Sequence, residues 1–141
     1  MAISAARFMV SFDGQTPAYF SELSGITSEV EPAEYLAAHY RTGDVIHTKQ
    51  FGKVKPPTIT LKRGVDGSGF FLAWHEMARL GKPSSRMSGT LELQNAGGAA
   101  QAAYRLFDAW PCKVEIGGLR AGSSEIVMET VTFTCEKIVP L

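Results

Sequence analysis

The sequence predicts a mainly β protein, a small β-barrel or sandwich of roughly six to eight strands with one flanking α-helix. Two observations predict this class. Several segments alternate apolar and polar residues with a period of two and are separated by glycine-containing turns. Only residues 68–80 repeat large apolar side chains at helical spacing. A single amphipathic helix must pack its apolar stripe on something, and the remaining sequence offers strands.

The length and charge of the chain limit its function. Its 141 residues suit one domain, 1–141, with its own hydrophobic core. Its 14 basic and 14 acidic residues cancel. Nucleic-acid backbones are bound chiefly through a surplus of lysine and arginine, so this balance argues against DNA or RNA binding as the main function.

The opening segment MAISAARFMV contains Arg7 within a short apolar run. This pattern fits neither a secretory signal nor a membrane span. We therefore expect synthesis in the cytoplasm without a signal peptide, and no membrane insertion by the chain itself. Cys112 and Cys135 lie far apart in strand-like segments, without the close spacing of a metal site, so we expect buried free thiols.

The first half of the chain contains several predicted strands. Residues 7–12 alternate and end at an Asp-Gly turn, and residues 19–23 form a short strand candidate. Residues 26–35 carry three glutamates among few apolar residues, which suits an edge strand or a solvated face. Residues 58–63 alternate again and predict a half-buried strand at the centre of the fold.

Residues 36–50 follow neither a helical nor a strand period, and we predict an irregular loop. Long irregular connections in compact domains are usually functional or disordered. Because this segment contains Tyr40, Val45 and Ile46, we favour ordering against another chain over a flexible loop. The candidates for contacts between subunits or rings are Glu29, Glu31, Tyr40, Arg41, Val45, Ile46 and Phe51.

The predicted helix has recognisable ends. Ser68 can cap its start, and Gly81 followed by Pro83 can end it. His75 is expected on its solvent side. The predicted core anchors of the fold are Phe70, Trp74, Trp110 and Phe133.

Three further strands are predicted after the helix. Residues 87–95 alternate, with Gln94 among the outward positions, and residues 104–116 keep one apolar parity. Pro111 predicts a bulge or an edge position within the second strand. Residues 125–138 form the last strand and make a hairpin with the one before it. In this last strand, one face carries Val127, Val131, Phe133 and Cys135, and the other carries Thr130, Thr132 and Thr134.

No catalytic, cofactor-binding or metal site is predicted. Cys112 beside a histidine is the one cysteine-based nucleophile pair to weigh, and a packed thiol is the preferred interpretation. The glycines after Arg63 lack the lysine of a phosphate-binding loop, and the three scattered histidines lack metal-ligand spacing. We expect a non-enzymatic protein without a cofactor.

Several stretches carry a family resemblance. They are ITLKRGV at 59–65, the helix bearing Trp74, AWP at 109–111, EIVMETVTFTCE at 125–136, and FSELSGITSEVE at 20–31. In the expected order and over nearly the whole chain, they resemble the tube proteins of contractile phage tails and related injection systems. Residues 36–55 depart most from the family pattern, which often has a Gly/Asn-rich loop and a Pro-Gly there.

The resemblance implies a small β-barrel with one flanking helix, similar to the type VI secretion tube protein, that forms six-membered rings stacked into a hollow tube. It implies sheath, baseplate or spike, and tail-terminator proteins as partners, within a phage tail or a released, extracellular tail-like particle. The cargo would be a protein effector or phage DNA. The face of Thr130, Thr132 and Thr134 then suits the lumen wall, whereas the residues alone favour ordinary solvent exposure.

Two other functions remain open under the same resemblance. One is a tube-initiating or baseplate-adaptor paralogue of the same machine. The other is a secreted ring-shaped carrier like the type VI tube protein.

Overall fold

Eight strands and one α-helix make up the part of the chain that the computed structural model describes, residues 5–39, 44–65, 68–117 and 127–141, with side chains outside 31–54. A short 3-10 turn, Pro83–Ser85, follows the helix. The elements are β1 Arg7–Phe12, β2 Ala18–Phe20, β3 Glu22–His39, β4 Asp44–Gly64, α1 Phe70–Arg79, β5 Met87–Gln94, β6 Ala100–Ile116, β7 Met128–Thr134 and β8 Lys137–Pro140. The prediction of a mainly β fold with one flanking helix is confirmed.

The strands form one antiparallel array in the order β2-β1-β5-β6-β7-β4-β3, with β8 also paired to β6. Strand β6 divides this array. Its first part pairs with β5 and β8, and these strands with β1 and β2 form what we call sheet A. Its last part pairs with β7, and β7, β4 and β3 complete what we call sheet B. The predicted hairpin between the last two long strands corresponds to β6 and β7.

Two bulges reorient the side chains of β6. The register with β5 shifts between Leu106 and Ala109, where Asp108 has a positive φ of 49°. As a result, Ala109 and Pro111 face the core although they lie at odd spacing from buried Leu106. A second shift follows Pro111, where a bulge was predicted.

An aromatic cluster joins the helix to both sheets. The Trp74 ring lies 4.6 Å from that of Phe12 in β1 and 5.6 Å from that of Phe133 in β7, measured between centroids. Its indole Nε1 donates a hydrogen bond to the carbonyl of Ser85. Trp74 is therefore only 2% exposed, and with Phe71 it forms the buried face of α1.

The predicted core anchors occupy two environments. Trp74 and Phe133 are buried, whereas Phe70 and Trp110 are half-buried and pack against the core from its margin. Trp110 is displaced because the bulge at Asp108 gives the inward positions to its neighbours Ala109 and Pro111.

The helix lies within the predicted range, but its start differs. Gly69, with a φ of 65°, occupies the N-cap position, and no side chain caps the helix there. Ser68 lies one residue earlier, where its Oγ accepts a long hydrogen bond of 3.4 Å from the Phe70 amide. At the other end, Gly81 adopts a φ of 74° and its amide bonds the carbonyl of Ala78, as expected for a glycine that ends a helix.

The prediction of an irregular loop at residues 36–50 was wrong. This segment contains the ends of β3 and β4, whose pairing continues through Leu36 with His47 and His39 with Asp44. Residues 40–43 lie outside the described part. Strand pairing is made by backbone groups and needs no alternation of side chains, because alternation reports burial of one face. A paired segment without that pattern therefore escaped detection.

Two strand predictions had wrong boundaries. The strand predicted at 125–138 is divided into β7 and β8 at Cys135 and Glu136. The Cys135 amide donates a hydrogen bond to Pro57 O in β4, whereas the Glu136 amide donates to Phe107 O in β6, so the chain changes sheets between them. The short strand predicted at 19–23 covers the end of β2 and the start of β3.

Two side chains face the opposite way from their prediction. Gln94 is buried rather than outward, because its Oε1 accepts a hydrogen bond from Arg7 Nε at 2.7 Å. His75 is half-buried rather than on the solvent side, with its Nδ1 2.9 Å from the carbonyl of Pro111. Since a carbonyl can only accept, Nδ1 carries the proton in this bond.

Replacing Trp74 with alanine should lower the free energy of unfolding by about 3–5 kcal/mol, because the ring is buried and contacts both sheets. Urea denaturation measures this change. The matched control is Leu72→Ala on the exposed side of α1, where we expect a change within about 0.5 kcal/mol. A loss for Trp74→Ala below about 1 kcal/mol would contradict the assigned role of this ring.

Candidate assembly surface

Strand β7 separates the core from a polar face. Along it, Glu129, Val131 and Phe133 are buried, and the intervening threonines are half-exposed. Thr130, Thr132 and Thr134 thus point away from the core, as the alternation of a strand requires.

The threonines of β7 belong to a larger hydroxyl face on the outer side of sheet B. Thr58 in β4 lies opposite Thr134, and Thr60 lies opposite Thr132, with 3.2 Å between the two Oγ1 atoms. Together the hydroxyl face comprises Thr58, Thr60, Thr130, Thr132 and Thr134. Such cross-strand pairs place hydroxyl groups side by side on adjacent strands.

Charged residues border the hydroxyl face and balance each other. On β6, Lys113 Nζ lies 2.6 Å from Glu115 Oε1. This contact raises the pKa of Lys113 and lowers the pKa of Glu115, because each charge stabilises the other. On the other side, Lys62 of β4 lies opposite Glu22 of β3. Two lysines and two glutamates therefore leave this border without net charge.

A shallow depression of about 270 Å³ lies where the hydroxyl face meets the charged pair of β6. Its lining consists of Thr60, Lys113, Glu115, Thr130 and Thr132. The lining combines hydroxyl and charged groups with threonine methyl groups and the aliphatic part of the lysine side chain, and none of its groups is a nucleophile paired with a base. The depression can hold water, which suits a surface that remains hydrated.

Sheet B has two edges that are unpaired among the described strands. One is β3, which pairs only with β4, and the other is the last part of β6, which there pairs only with β7. Each edge strand carries an exposed aliphatic residue, Val30 on β3 at 46% and Ile116 on β6 at 50%. The prediction of an edge strand rich in glutamate is confirmed by the position of β3.

The predicted contact residues lie mostly on the hairpin of β3 and β4. Glu29 is an exposed residue of β3, 3.6 Å from Lys55 Nζ, and Glu31 follows it on the same strand. Val45 and Ile46 pair with Ala38 and Ala37 near the far end of the hairpin. Phe51 lies opposite Pro32. Tyr40 and Arg41 lie outside the described residues.

An ion pair that sequence reasoning missed lies on the core side of sheet B. Arg63 Nη2 is 3.5 Å from Glu129 Oε1, and both side chains are almost fully buried. The guanidinium also lies 4.6 Å from the centre of the Phe71 ring. The sequence did indicate a buried charge here, because Glu129 has the same strand parity as the inward-facing Val131. Breaking a buried pair by removing one partner is costly, so this contact ties β4 to β7.

The two cysteines are free thiols, Cys135 buried and Cys112 half-buried. Burial raises the pKa of Cys112, and burial with the nearby Cys112 raises the pKa of Cys135 to about 12. A raised pKa disfavours the thiolate, which is the nucleophilic form. The geometry therefore supports packing roles for both residues.

A pair of carboxylates lies at the bulge of β6. The side chains of Asp108 and Glu136 are within hydrogen-bonding reach of each other and exposed to solvent. Asp108 has a positive φ, and its amide donates to Ser88 Oγ at 3.2 Å. The side-chain hydrogen bond with Asp108 and the negative charge of that residue raise the pKa of Glu136, and Arg86 opposes this shift only in part.

Within the described part of the chain, no helix has the length and apolar character needed to cross a membrane.

Comparison with known proteins identifies a family and a fold. The family described as T4-like virus tail tube protein gp19 matches residues 4–139. A chain of the sheath-tube complex of an extracellular contractile injection system, PVC, in its extended state, is 22% identical, with a TM-score of 0.77 over 99% of this chain and 91% of that one. A chain of the anti-feeding prophage tube-terminating cap is also 22% identical, with a TM-score of 0.75 over 100% of this chain and 91% of that one.

A more distant likeness extends to Hcp1 from Flavobacterium johnsoniae, at 14% identity and a TM-score of 0.54 over 95% of this chain and 94% of that one. At these identities the likeness to solved structures is one of fold. No match was found among curated proteins.

Replacing Glu136 with glutamine should stabilise the subunit at neutral pH. The folded-state pKa of Glu136 is raised, so deprotonation destabilises the folded state as the pH rises through that pKa. The gain in melting temperature should therefore be present at pH 7 and disappear below pH 4.5, the ordinary value.

Glu76→Gln is the matched control for this pH series. Arg79 lowers the pKa of Glu76, so this variant should instead lose stability at neutral pH, with the loss disappearing in acid. Thermal unfolding across pH measures both variants. If both variants changed the melting temperature in the same direction at pH 7, the unfavourable interaction assigned to Asp108 and Glu136 would be contradicted.

Proposed function

The chain belongs to the T4-like virus tail tube protein gp19 family, and we propose that it is the repeating subunit of the inner tube of a contractile injection machine. In this proposal six copies form a ring, and rings stack into a tube with a hollow lumen. The observation that carries it is sheet B, which combines two open edges with a neutral hydroxyl face. This function is structural, with no catalytic step.

The two open edges suit a contact between different surfaces of neighbouring copies. Strand β3 of one subunit can pair with the last part of β6 of the next, because both present unpaired backbone groups. Such a heterologous contact closes into a ring when its rotation divides a full circle. Val30 and Ile116 would lose their solvent exposure in this contact.

Joining subunits at these edges would continue sheet B around the ring. Its buried face is covered by the core of each subunit, so its hydroxyl face becomes one continuous wall. We assign this wall to the lumen. Threonine hydroxyls hold water without offering an apolar patch or a surplus of fixed charge, so a cargo can pass without binding.

The partners follow from the same proposal. The similar chains come from a sheath-tube complex and a tube-terminating cap, which supports a sheath, a baseplate or spike, and a terminator as partners here. The cargo would be a protein effector or phage DNA. The tube would be part of a phage tail or of a released tail-like particle.

Two alternatives rest on the same comparisons. Chains of comparable similarity occur in the terminating cap and in the baseplate of the anti-feeding prophage, so a role at one end of the tube is the second candidate. A secreted ring-shaped carrier is the third, supported by the fold likeness to Hcp1.

The purified subunit should form rings of six copies and tubes at high concentration, or on addition of baseplate or sheath proteins. Light scattering would follow assembly, and negative-stain images would give the symmetry and the bore. A protein that stays monomeric under all these conditions would overturn the proposed function. Rings that never stack, even with those partners, would favour the ring-shaped carrier.

Thr132→Cys tests the lumen assignment in a Cys112→Ser background, which removes the half-buried thiol beside this position. In assembled tubes, a small thiol reagent should label Cys at this site, and a reagent wider than the bore should not. Both reagents should label the unassembled subunit, which serves as the control. Equal labelling of tubes by both reagents would place the hydroxyl face outside.

A further inference from the structure

A cationic groove lies beside the short edge strand β2. It encloses about 500 Å³, is open to solvent, and runs between β2 and the end of β4. Its lining includes Arg7, Tyr19, Arg63 and Gly64. We call it the Arg7 groove. Two arginines facing one open groove form a surface suited to carboxylates, because guanidinium groups bind carboxylates with paired hydrogen bonds.

Arg7 is held in position by neutral groups. Its Nε donates to the buried Gln94 at 2.7 Å, and its guanidinium lies 4.9 Å from the centre of the Tyr19 ring. At Gly98 an added Cβ would come within 2.9 Å of Arg7 Nη2, so the turn after β5 also confines this side chain. Among the described residues, no carboxylate lies within 4 Å of Arg7. Its charge is therefore exposed and oriented, and no described carboxylate compensates it at close range.

Arg63 contributes less charge to the groove than Arg7. It is paired with Glu129 on the core side, so its own charge is largely compensated. In the groove, the Arg63 guanidinium lines the base, where its contacts with the Phe71 and Phe20 rings hold it in place. The net positive character of the groove therefore depends on Arg7.

The complementary charge lies at the other end of sheet A. Arg7 pairs in register with Gln94 at the end of β5, whereas Asp108 contacts Ser88 at the start of β5. These two positions of β5 are six residues apart, a separation of about 20 Å along a strand. The Asp108–Glu136 pair thus presents two exposed carboxylates at one end of sheet A, and the Arg7 groove presents a cation at the opposite end.

We propose that the Arg7 groove receives the Asp108 and Glu136 carboxylates of a second copy of this chain, in the next ring of the stack. This inference rests on the proposed function. Charges of opposite sign at opposite ends of one sheet make a head-to-tail contact, which repeats without limit along an axis. The open edges of sheet B remain available for contacts within a ring.

The state of the carboxylate pair supports this assignment. Within one subunit the side chain of Glu136 is within hydrogen-bonding reach of Asp108, and this contact, together with the repulsion between the two charges, raises the pKa of Glu136. The cations around them are Arg86, before β5, and Lys137, which lies over the Phe107 ring. Neither forms an ion pair within 4 Å of the two acids among the described residues. A guanidinium from the next ring would relieve the repulsion.

Charge reversal tests the contact. Arg7→Glu and Glu136→Arg should each leave rings intact and raise the protein concentration needed for stacking by roughly tenfold or more. The double variant Arg7→Glu/Glu136→Arg should restore stacking, because it restores the attraction with reversed signs. Gln94→Glu keeps Arg7 but gives it an internal carboxylate, and should also weaken stacking. Arg79→Gln and Glu76→Gln, on the exposed helix, are matched controls without effect.

Sedimentation and negative-stain images separate rings from stacks, and thermal unfolding confirms that each variant is folded. Normal stacking by both single reversals would overturn the contact and leave the proposed function intact. If Arg7→Glu abolished the rings and the double variant restored them, the contact would lie within a ring, and its assignment to the interface between rings would be overturned. A wild-type subunit that never assembles would overturn the proposed function and this contact with it.

Discussion

Strand β6 belongs to both sheets, and the rest of the fold depends on its backbone pairing first with β5 and β8 and then with β7. A strand that only continued straight would keep one parity and would turn the wrong side chains inward after the change of partner. The bulge at Asp108 resets this parity, so that Ala109 and Pro111 face the core. The bulge also creates the surface where Asp108 meets Glu136. One local irregularity thus serves both packing and surface charge.

The helix fixes the junction that β6 creates. Trp74 contacts Phe12 of sheet A and Phe133 of sheet B, and His75 bonds the carbonyl of Pro111 on β6 itself. Because one helix face contacts both sheets and the strand between them, the two halves cannot move independently without breaking these contacts.

Much of the fold could be predicted from the sequence, because burial of one face leaves a readable alternation. Strands β1, β5 and β7 follow that pattern, and so does the polar face of Thr130, Thr132 and Thr134. The ends of β3 and β4 could not be predicted, since strand pairing is made by backbone groups and this segment lacks the alternation that predicts a strand. The Gln94–Arg7 bond could not be predicted because it depends on a partner distant in sequence. For the Arg63–Glu129 pair, the parity of Glu129 indicated that it faces the core, but not which residue pairs with it. Prediction of the candidate assembly surface requires the register between strands, which the alternation of residues along one strand does not give.

Paired charges beside the hydroxyl face would leave a bore lined by this face with little ability to select among molecules by their charge. Lys113 Nζ and Glu115 Oε1 lie 2.6 Å apart. The electric fields of these two charges therefore cancel within a distance far shorter than the roughly 10 Å over which salt screens a single charge. A molecule near the axis would experience almost no potential from this part of the wall, whatever its own charge. Selection of what travels would then have to occur at the two mouths, by a receptor or a loading factor, because the conduit itself would be indifferent.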